Sequence, residues 1–250
     1  MYYFFKILIC IILIIILINY NNKLYLHFSN EIEMSPKLSI QDISDLKKGQ
    51  KIMTNMLKEF DRICRKYNLK YWCLGGTLIG ARRHNGWIPW DGDIDVGMLE
   101  SDYNKLQQII QPELPKEMWF QTHENDKYWP NKNISKIRYL NATYKRKKND
   151  PRDKWHNGLQ LDIFIFNENK EYIHGHKKFK KNNIFPLKEA LFENIKVYIP
   201  NNYDLVLKIE GYNNYMTLLP INKRIPHEGL IYLNVPDWIK QKYPELYPKF

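Results

Sequence analysis

Cysteine is scarce in this chain: three residues in 250, at Cys10, Cys64 and Cys73. With Cys10 in an apolar leader, at most one bridge remains for the body of the protein, and no Cys/His spacing of the zinc-finger kind is present. Cys64 falls on the apolar face of a helical pattern and Cys73 in a strand, so buried free thiols are expected at both. Acidic residues are also outnumbered, 27 against 38 Lys and Arg, for a formal net charge of +11. The surplus is concentrated in Lys145-Arg146-Lys147-Lys148 and in the run His174 to Lys181. Such patches attract nucleic acid, anionic surfaces and phosphorylated ligands without choosing among them. No aromatic pattern of a single-strand platform accompanies them. A solvated basic face, suited to a nucleotide-linked or phosphorylated substrate, is therefore preferred to a nucleic-acid site. Internal repeats are absent, and low complexity is confined to the leader.

That leader, Met1 to Ile18, is apolar apart from Lys6, and Ile7 to Ile18 is unbroken aliphatic plus Cys10. Extended from Met1 to Tyr20 it reaches the ~20 residues that span a bilayer, with aromatic residues at both ends. A cleaved signal peptide is the rival, but Asn19, Tyr20, Asn21 and Asn22 offer no small-residue cleavage site. The reading is a membrane anchor over 1–20, a stem over 21–43 and one catalytic domain over 44–250. The sequons Asn133-Ile134-Ser135 and Asn141-Ala142-Thr143 fit a lumenal, Golgi-type location for a single-pass membrane protein. Lys6 and Lys23 on opposite flanks leave its orientation open.

Within the domain, Met53, Met56, Leu57, Phe60, Cys64 and Tyr67 recur at helical spacing, with Ser44 as the expected N-cap. Strands are expected at 71–74, 94–98, 159–166 and 195–199. A helix capped by Ser101 should contain Leu106, Ile109 and Ile110, and another should run over 203–210. Pro112, Pro115, Pro130 and Pro151 mark the middle as loops between short elements. Helices interspersed with a few central strands make this an α/β or α+β domain.

The chemistry centres on Leu74-Gly75-Gly76-Thr77-Leu78-Ile79-Gly80 and Trp90-Asp91-Gly92-Asp93-Ile94-Asp95-Val96. A glycine pair lets backbone amides approach a phosphate, and Thr77 is placed to cap the helix that follows. In an extended segment Asp93 and Asp95 project to one side. Asp162 stands between apolar neighbours in a strand that otherwise reads as buried, where a lone carboxylate is costly. The three acids could converge on one or two Mg²⁺ or Mn²⁺ ions. Against this stands a plainer reading, in which Asp91 and Asp93 make turn hydrogen bonds and Asp162 pairs with a lysine or arginine. Arg82, Arg83 and His84 follow the glycine turn. The arginines are suited to phosphate oxygens, and His84 is a weaker candidate for a general base than Asp162. Trp87 and Trp90 could stack on a base or sugar, or pack their loop.

The stretch from Leu74 to Met98 resembles the signature of the LicD family, which includes bacterial phosphocholine transferases and is related to the fukutin and fukutin-related ribitol-phosphate transferases. The likeness continues at Gly158-Leu-Gln-Leu-Asp-Ile-Phe164, Phe185-Pro-Leu-Lys, Leu191-Phe-Glu-Asn-Ile-Lys-Val-Tyr-Ile-Pro200 and Tyr215-Met-Thr-Leu. The resemblance implies a nucleotidyltransferase-like fold, a mixed sheet with flanking helices, preceded here by the N-terminal hydrophobic helix. It also implies metal-dependent transfer of a phospho-alcohol from a CDP-activated donor to a glycan hydroxyl. On family terms Gly75 and Gly76 match the phosphate turn, Asp93 and Asp95 the metal pair, Asp162 the later acid and Asp91 the acid beside the pair. The chain departs at Gly92, where another Asp is common, and at Glu210-Gly211-Tyr212-Asn213, where Tyr-Gly-Asp is usual. The alternatives are transfer of an NMP group to RNA or a small molecule, and an inactive membrane-tethered binding domain.

Overall fold

The computed structural model describes residues 34–146 and 150–247. The expected anchor over 1–20 lies outside these residues. Among those described, no helix is long and apolar enough to cross a membrane. The expectations of a signal-anchor, a membrane partner and a single-pass location are corrected on that finding.

The first helix, α1 (Ile40–Lys66), begins four residues before the expected cap. Ser39 supplies the cap instead: its hydroxyl accepts from the Asp42 N–H at 3.1 Å, and the Asp42 carboxylate accepts from the Ser39 N–H at 2.9 Å. This reciprocal pair satisfies two amides that a helix start leaves open, and Ser44 is an interior residue. Met53, Met56, Leu57, Phe60 and Cys64 are buried, as their spacing predicts, whereas Tyr67 ends the helix in solvent. Cys64 and Cys73 are buried free thiols.

From α1 the chain enters β1 (Tyr71–Cys73), turns into α2 (Gly75–Arg83) and returns as β2 (Ile94–Leu99), followed by α3 (Glu100–Glu113). Leu99, rather than Ser101, stands at the N-cap of α3, without a side-chain hydrogen bond. Then come β3 (Met118–Gln121), β4 (Ile134–Lys145) and β5 (Gly158–Glu168). The remainder comprises β6 (Tyr172–His174), β7 (Lys178–Lys180), α4 (Lys181–Ile184), β8 (Lys188–Phe192), β9 (Ile195–Ile199), α5 (Tyr203–Glu210), β10 (Leu230–Tyr232) and α6 (Asp237–Lys242). The main sheet runs β1-β2-β5-β4-β10, with β3 also on β4 and β6–β7 continuing from β5, while β8 and β9 form a separate hairpin. Among the described residues, β2 and β5 are the one parallel pair. This mixed α/β architecture is the fold class expected.

Register does most of the site's positioning. Asp95 pairs with Asp162 across β2 and β5, and Asp162 with Lys136 across β5 and β4. Two residues along, Gln160 pairs with Arg138. Because side chains alternate, these polar groups share one face, and Ile94, Val96, Ile137, Leu161 and Ile163 share the other. That second face is buried in the core. There the Ser135 and Tyr103 hydroxyls meet at 2.6 Å, tying β4 to α3.

The far end of β5 is fastened by His156. Its Nδ1 accepts from the Gly158 N–H at 3.1 Å, so Nε2 carries the proton and donates to the Tyr247 hydroxyl at 2.7 Å. Tyr247 in turn donates to the Leu140 carbonyl at 3.0 Å. Burial, then Arg138, holds the imidazolium form well below the usual histidine range. The unfolded chain takes up this proton near pH 6.5 and the folded one does not, so stability is lost as pH falls below that value. Between pH 7.5 and 5.5 this costs on the order of 1 kcal/mol. Urea unfolding at the two pH values should show a pH dependence smaller by that amount in His156→Gln than in the wild type. An unchanged difference would rule the histidine out as its source.

Candidate metal and phosphate site

Asp93, Asp95 and Asp162 come together with ligand oxygens all within 4.8 Å of one another. A second group, Asp91, Asp93 and His227, is gathered as closely and shares Asp93 with the first. The loop before β10 delivers His227: its Nδ1 lies 3.8 Å from Asp91 Oδ1 and its Nε2 3.8 Å from Asp93 Oδ1. Glu228 follows, 3.5 Å from the same ring, and pairs with Arg146 at 3.2 Å and Arg152 at 3.3 Å.

Both turn and ion-pair features of the plainer reading are present. Asp91 Oδ1 accepts from the Gly92 N–H at 3.1 Å, and the Lys136 ammonium donates to both oxygens of Asp162. They leave much of the negative charge unanswered. Among the described residues, neither Asp95 side-chain oxygen and not Asp93 Oδ1 accepts a hydrogen bond. Burial, then Asp95 and Asp91, pushes Asp93 well above the ordinary carboxylate range. Burial, then Asp162 and Asp91, does the same to Asp95. Asp91 is pushed up to about 6 by burial, with His227 opposing. Crowded, buried carboxylates with open oxygens could hold a hard divalent cation.

The glycine pair forms the opening of α2 against these acids. Gly75 adopts φ +47, a conformation that favours glycine, and a Cβ there would stand 3.0 Å from Asp95 Oδ2. A Cβ on Gly76 would collide with the Asp91 carboxylate. The Gly75 N–H donates to Glu210 Oε2 at 3.1 Å, at the end of α5. Thr77 is buried, and its hydroxyl accepts from the Asp95 N–H at 2.9 Å, so it fastens the acid's backbone.

Above the acids opens a cleft of ≈ 740 Å³, lined among others by Gly76, Arg83, Trp90, Asp91, Asp95, Tyr212 and His227. The two arginines part company here. Arg83 lines the cleft and donates to the Tyr215 and Thr217 carbonyls. Arg82 donates to the Tyr203 hydroxyl at 3.0 Å and lies 4.1 Å over that ring, outside the cleft lining. The tryptophans divide likewise. Trp87 is buried with its Nε1 on Thr54 at 2.9 Å, whereas Trp90 faces the cleft with Arg224 5.2 Å over its ring. His84 is bonded to Arg83 Nε at 2.9 Å, and burial, then Arg83, lowers it to about 4. It lines a different cavity, with Lys47 and Glu193.

Sequence reasoning missed Lys136, Gln160, His227, Glu228 and Tyr212. Gln160 carried a signal, lying two residues before Asp162 in a strand and hence on its face, and Tyr212 stood in the departure at 210–213 without being given a role. His227 and Glu228 sit in an unremarkable loop that only the β10–β4 pairing brings home.

A mixed sheet presenting clustered acids beside a glycine-opened helix is the arrangement of a nucleotidyltransferase-like domain. Residues 68–202 match the LicD/FKTN/FKRP nucleotidyltransferase domain, and the chain belongs to that family. It is 42% identical over 81 residues to the lipopolysaccharide cholinephosphotransferase LicD of Haemophilus influenzae, covering 32% of this chain and 27% of that protein. It is 44% identical over 41 residues to the human ribitol 5-phosphate transferase FKRP, covering 16% and 8%. An uncharacterised protein of Rickettsia typhi is 32% identical over 152 residues, covering 58% and 40%. The chain therefore spans well under two thirds of each of these relatives.

Proposed function

We propose that the domain, with boundaries near 44–250, transfers a phospho-alcohol such as phosphocholine or ribitol phosphate from a CDP-activated donor to a glycan hydroxyl. The observation that carries this reading is the convergence of Asp93, Asp95 and Asp162 under a cleft beside the glycine turn. The family match and the two named transferases support the class of reaction.

Asp93, Asp95 and Asp162 are assigned as ligands of Mg²⁺ or Mn²⁺, with Asp91 and His227 able to extend the set to a second ion. Bound there, the metal would polarise the diphosphate and acidify the attacking hydroxyl. Gly75 and Gly76 admit the diphosphate close to the backbone, and Thr77 holds Asp95 in place. Arg83 offsets phosphate charge from the cleft wall; the placement of Arg82 favours Arg83 for that role over its neighbour. The acceptor oxygen bonds to the phosphorus distal to the nucleoside, the bond from that phosphorus to the bridging oxygen breaks, and CMP leaves with the electron pair. Asp162, the base expected from sequence, has both oxygens on the Lys136 ammonium; Asp95, which lines the cleft and among the described residues accepts no hydrogen bond on its carboxylate, is placed to take the hydroxyl proton instead.

The test is incubation of the full-length chain with Mn²⁺ or Mg²⁺, a panel of CDP-alcohols and mixed glycan acceptors. Metal-dependent CMP release, with the matching phospho-alcohol mass added to a glycan, is the expected result. Appearance of the nucleotide itself on an acceptor would replace this reading with NMP transfer.

A further inference from the structure

Arg138 is wholly withdrawn from solvent, 0% exposed, yet among the described residues no carboxylate hydrogen-bonds to it. A guanidinium buried this way normally needs a directly paired anion. Here two amides stand between it and the acids on either side. Its Nε donates to Gln121 Oε1 at 2.8 Å, and its Nη1 to Gln160 Oε1 at 2.7 Å and the Gly158 carbonyl at 2.8 Å. Arginine can only donate, so each amide must turn its oxygen inward and its NH₂ outward. The Gln121 NH₂ then donates to Asp126 Oδ2 at 2.6 Å. The Gln160 NH₂ lies 3.3 Å from Asp93 Oδ2 and 3.5 Å from Asp162 Oδ2.

We infer that Arg138 is a positioning residue for the acidic centre, acting through Gln160, whose amide it orients so that the NH₂ group holds Asp93 and Asp162 in register. The inference rests on the reading of those acids as cation ligands. A glutamine has no intrinsic preference for one end of its amide. Freed from Arg138, it would turn its oxygen toward two carboxylates in part of the population, repelling the side chains it now draws together. The strand register makes the device possible, because Arg138 and Gln160 pair directly while Gln160 and Asp162 share a face. Asp126 is the matching anion at the other end of the same buried chain and takes a further hydrogen bond from Tyr243 at 3.0 Å.

The experiment is a titration of the full-length chain with Mn²⁺ alone, free ion being followed by electron paramagnetic resonance. Gln160→Met should weaken binding about 10- to 100-fold, the range for groups that orient metal ligands. Arg138→Lys should weaken it comparably, and the double variant should bind no more weakly than Gln160→Met. Gln121→Met, which removes the arm facing Asp126, should stay within about twofold of wild type. Additive losses in the double variant would show that Arg138 acts independently of Gln160 and overturn the inference. If Arg138→Lys fails to fold, as judged by circular dichroism, the contrast between Gln160→Met and Gln121→Met decides, and equal losses overturn it. A wild type that takes up no Mn²⁺ removes the metal reading itself. A wild type that binds Mn²⁺ as tightly as Gln160→Met removes only this one.

Discussion

Asp93→Asn is expected to abolish turnover while making the metal-free protein more stable. Asp93 is 5% exposed and stands among Asp91, Asp95 and Asp162. Burial and these neighbours already oppose its charge. Asparagine keeps the shape and an oxygen for the Gln160 NH₂, but removes one negative charge from a crowded group. Relief of that repulsion is worth about 1–2 kcal/mol, or roughly 2–8 °C in Tm for a chain of this size. The same change deletes the ligand shared by both cation groupings, so CMP release should fall at least ~10³-fold, the scale of losing a principal charge-stabilising group. Thermal melts in EDTA, set beside the donor assay, check both signs at once. A variant that melts lower and still turns over would identify Asp93 as structural and remove it from the chemistry.

The opposite signs explain why this part of the molecule was legible in sequence. Folding alone gives no reason to place Asp91, Asp93 and Asp95 at alternate positions running into a buried strand, so the pattern stands out against the apolar residues around it. The helix over Tyr203–Glu210 and the strand over Ile195–Ile199 were equally legible, because their patterns are local. The long strand β4 was not. Ile134–Lys145 lies in the proline-marked middle expected as loops between short elements, and neither Lys136 nor Arg138 is singled out there. They are buried because their partners arrive from elsewhere: Asp162 and Gln160 from β5, Gln121 from β3. Ser44 misled for a related reason. It begins the apolar pattern, but a cap is decided by backbone geometry outside the helix, and Ser39 with Asp42 supplies that geometry. Among the glycine-turn residues, sequence could not separate Arg82 from Arg83, since adjacent helical residues point about 100° apart and only the packing of α5 decides which one meets the cleft.

Lys136→Met should separate the two accounts of Asp162 that the sequence left side by side. The lysine side chain is 6% exposed and that of Asp162 10%, with Trp129 4.9 Å from the ammonium. Removing one partner of such a buried pair costs about 3–5 kcal/mol, because the other is left charged in a poorly solvated place. In EDTA the variant should therefore melt roughly 6–20 °C below wild type. If Asp162 serves only as an ion-pair partner, Mn²⁺ will raise the melting temperature of wild type and variant alike, leaving the gap unchanged. If Asp162 is a cation ligand, the divalent ion replaces the missing ammonium. Mn²⁺ should then stabilise Lys136→Met by several degrees more than it stabilises wild type. Asp162→Asn supplies the converse: it leaves the ammonium buried without its carboxylate and takes a ligand from the metal. Mn²⁺ should rescue it less than it rescues Lys136→Met. Since both variants break the same ion pair, a difference between them reports on the cation and not on the pair.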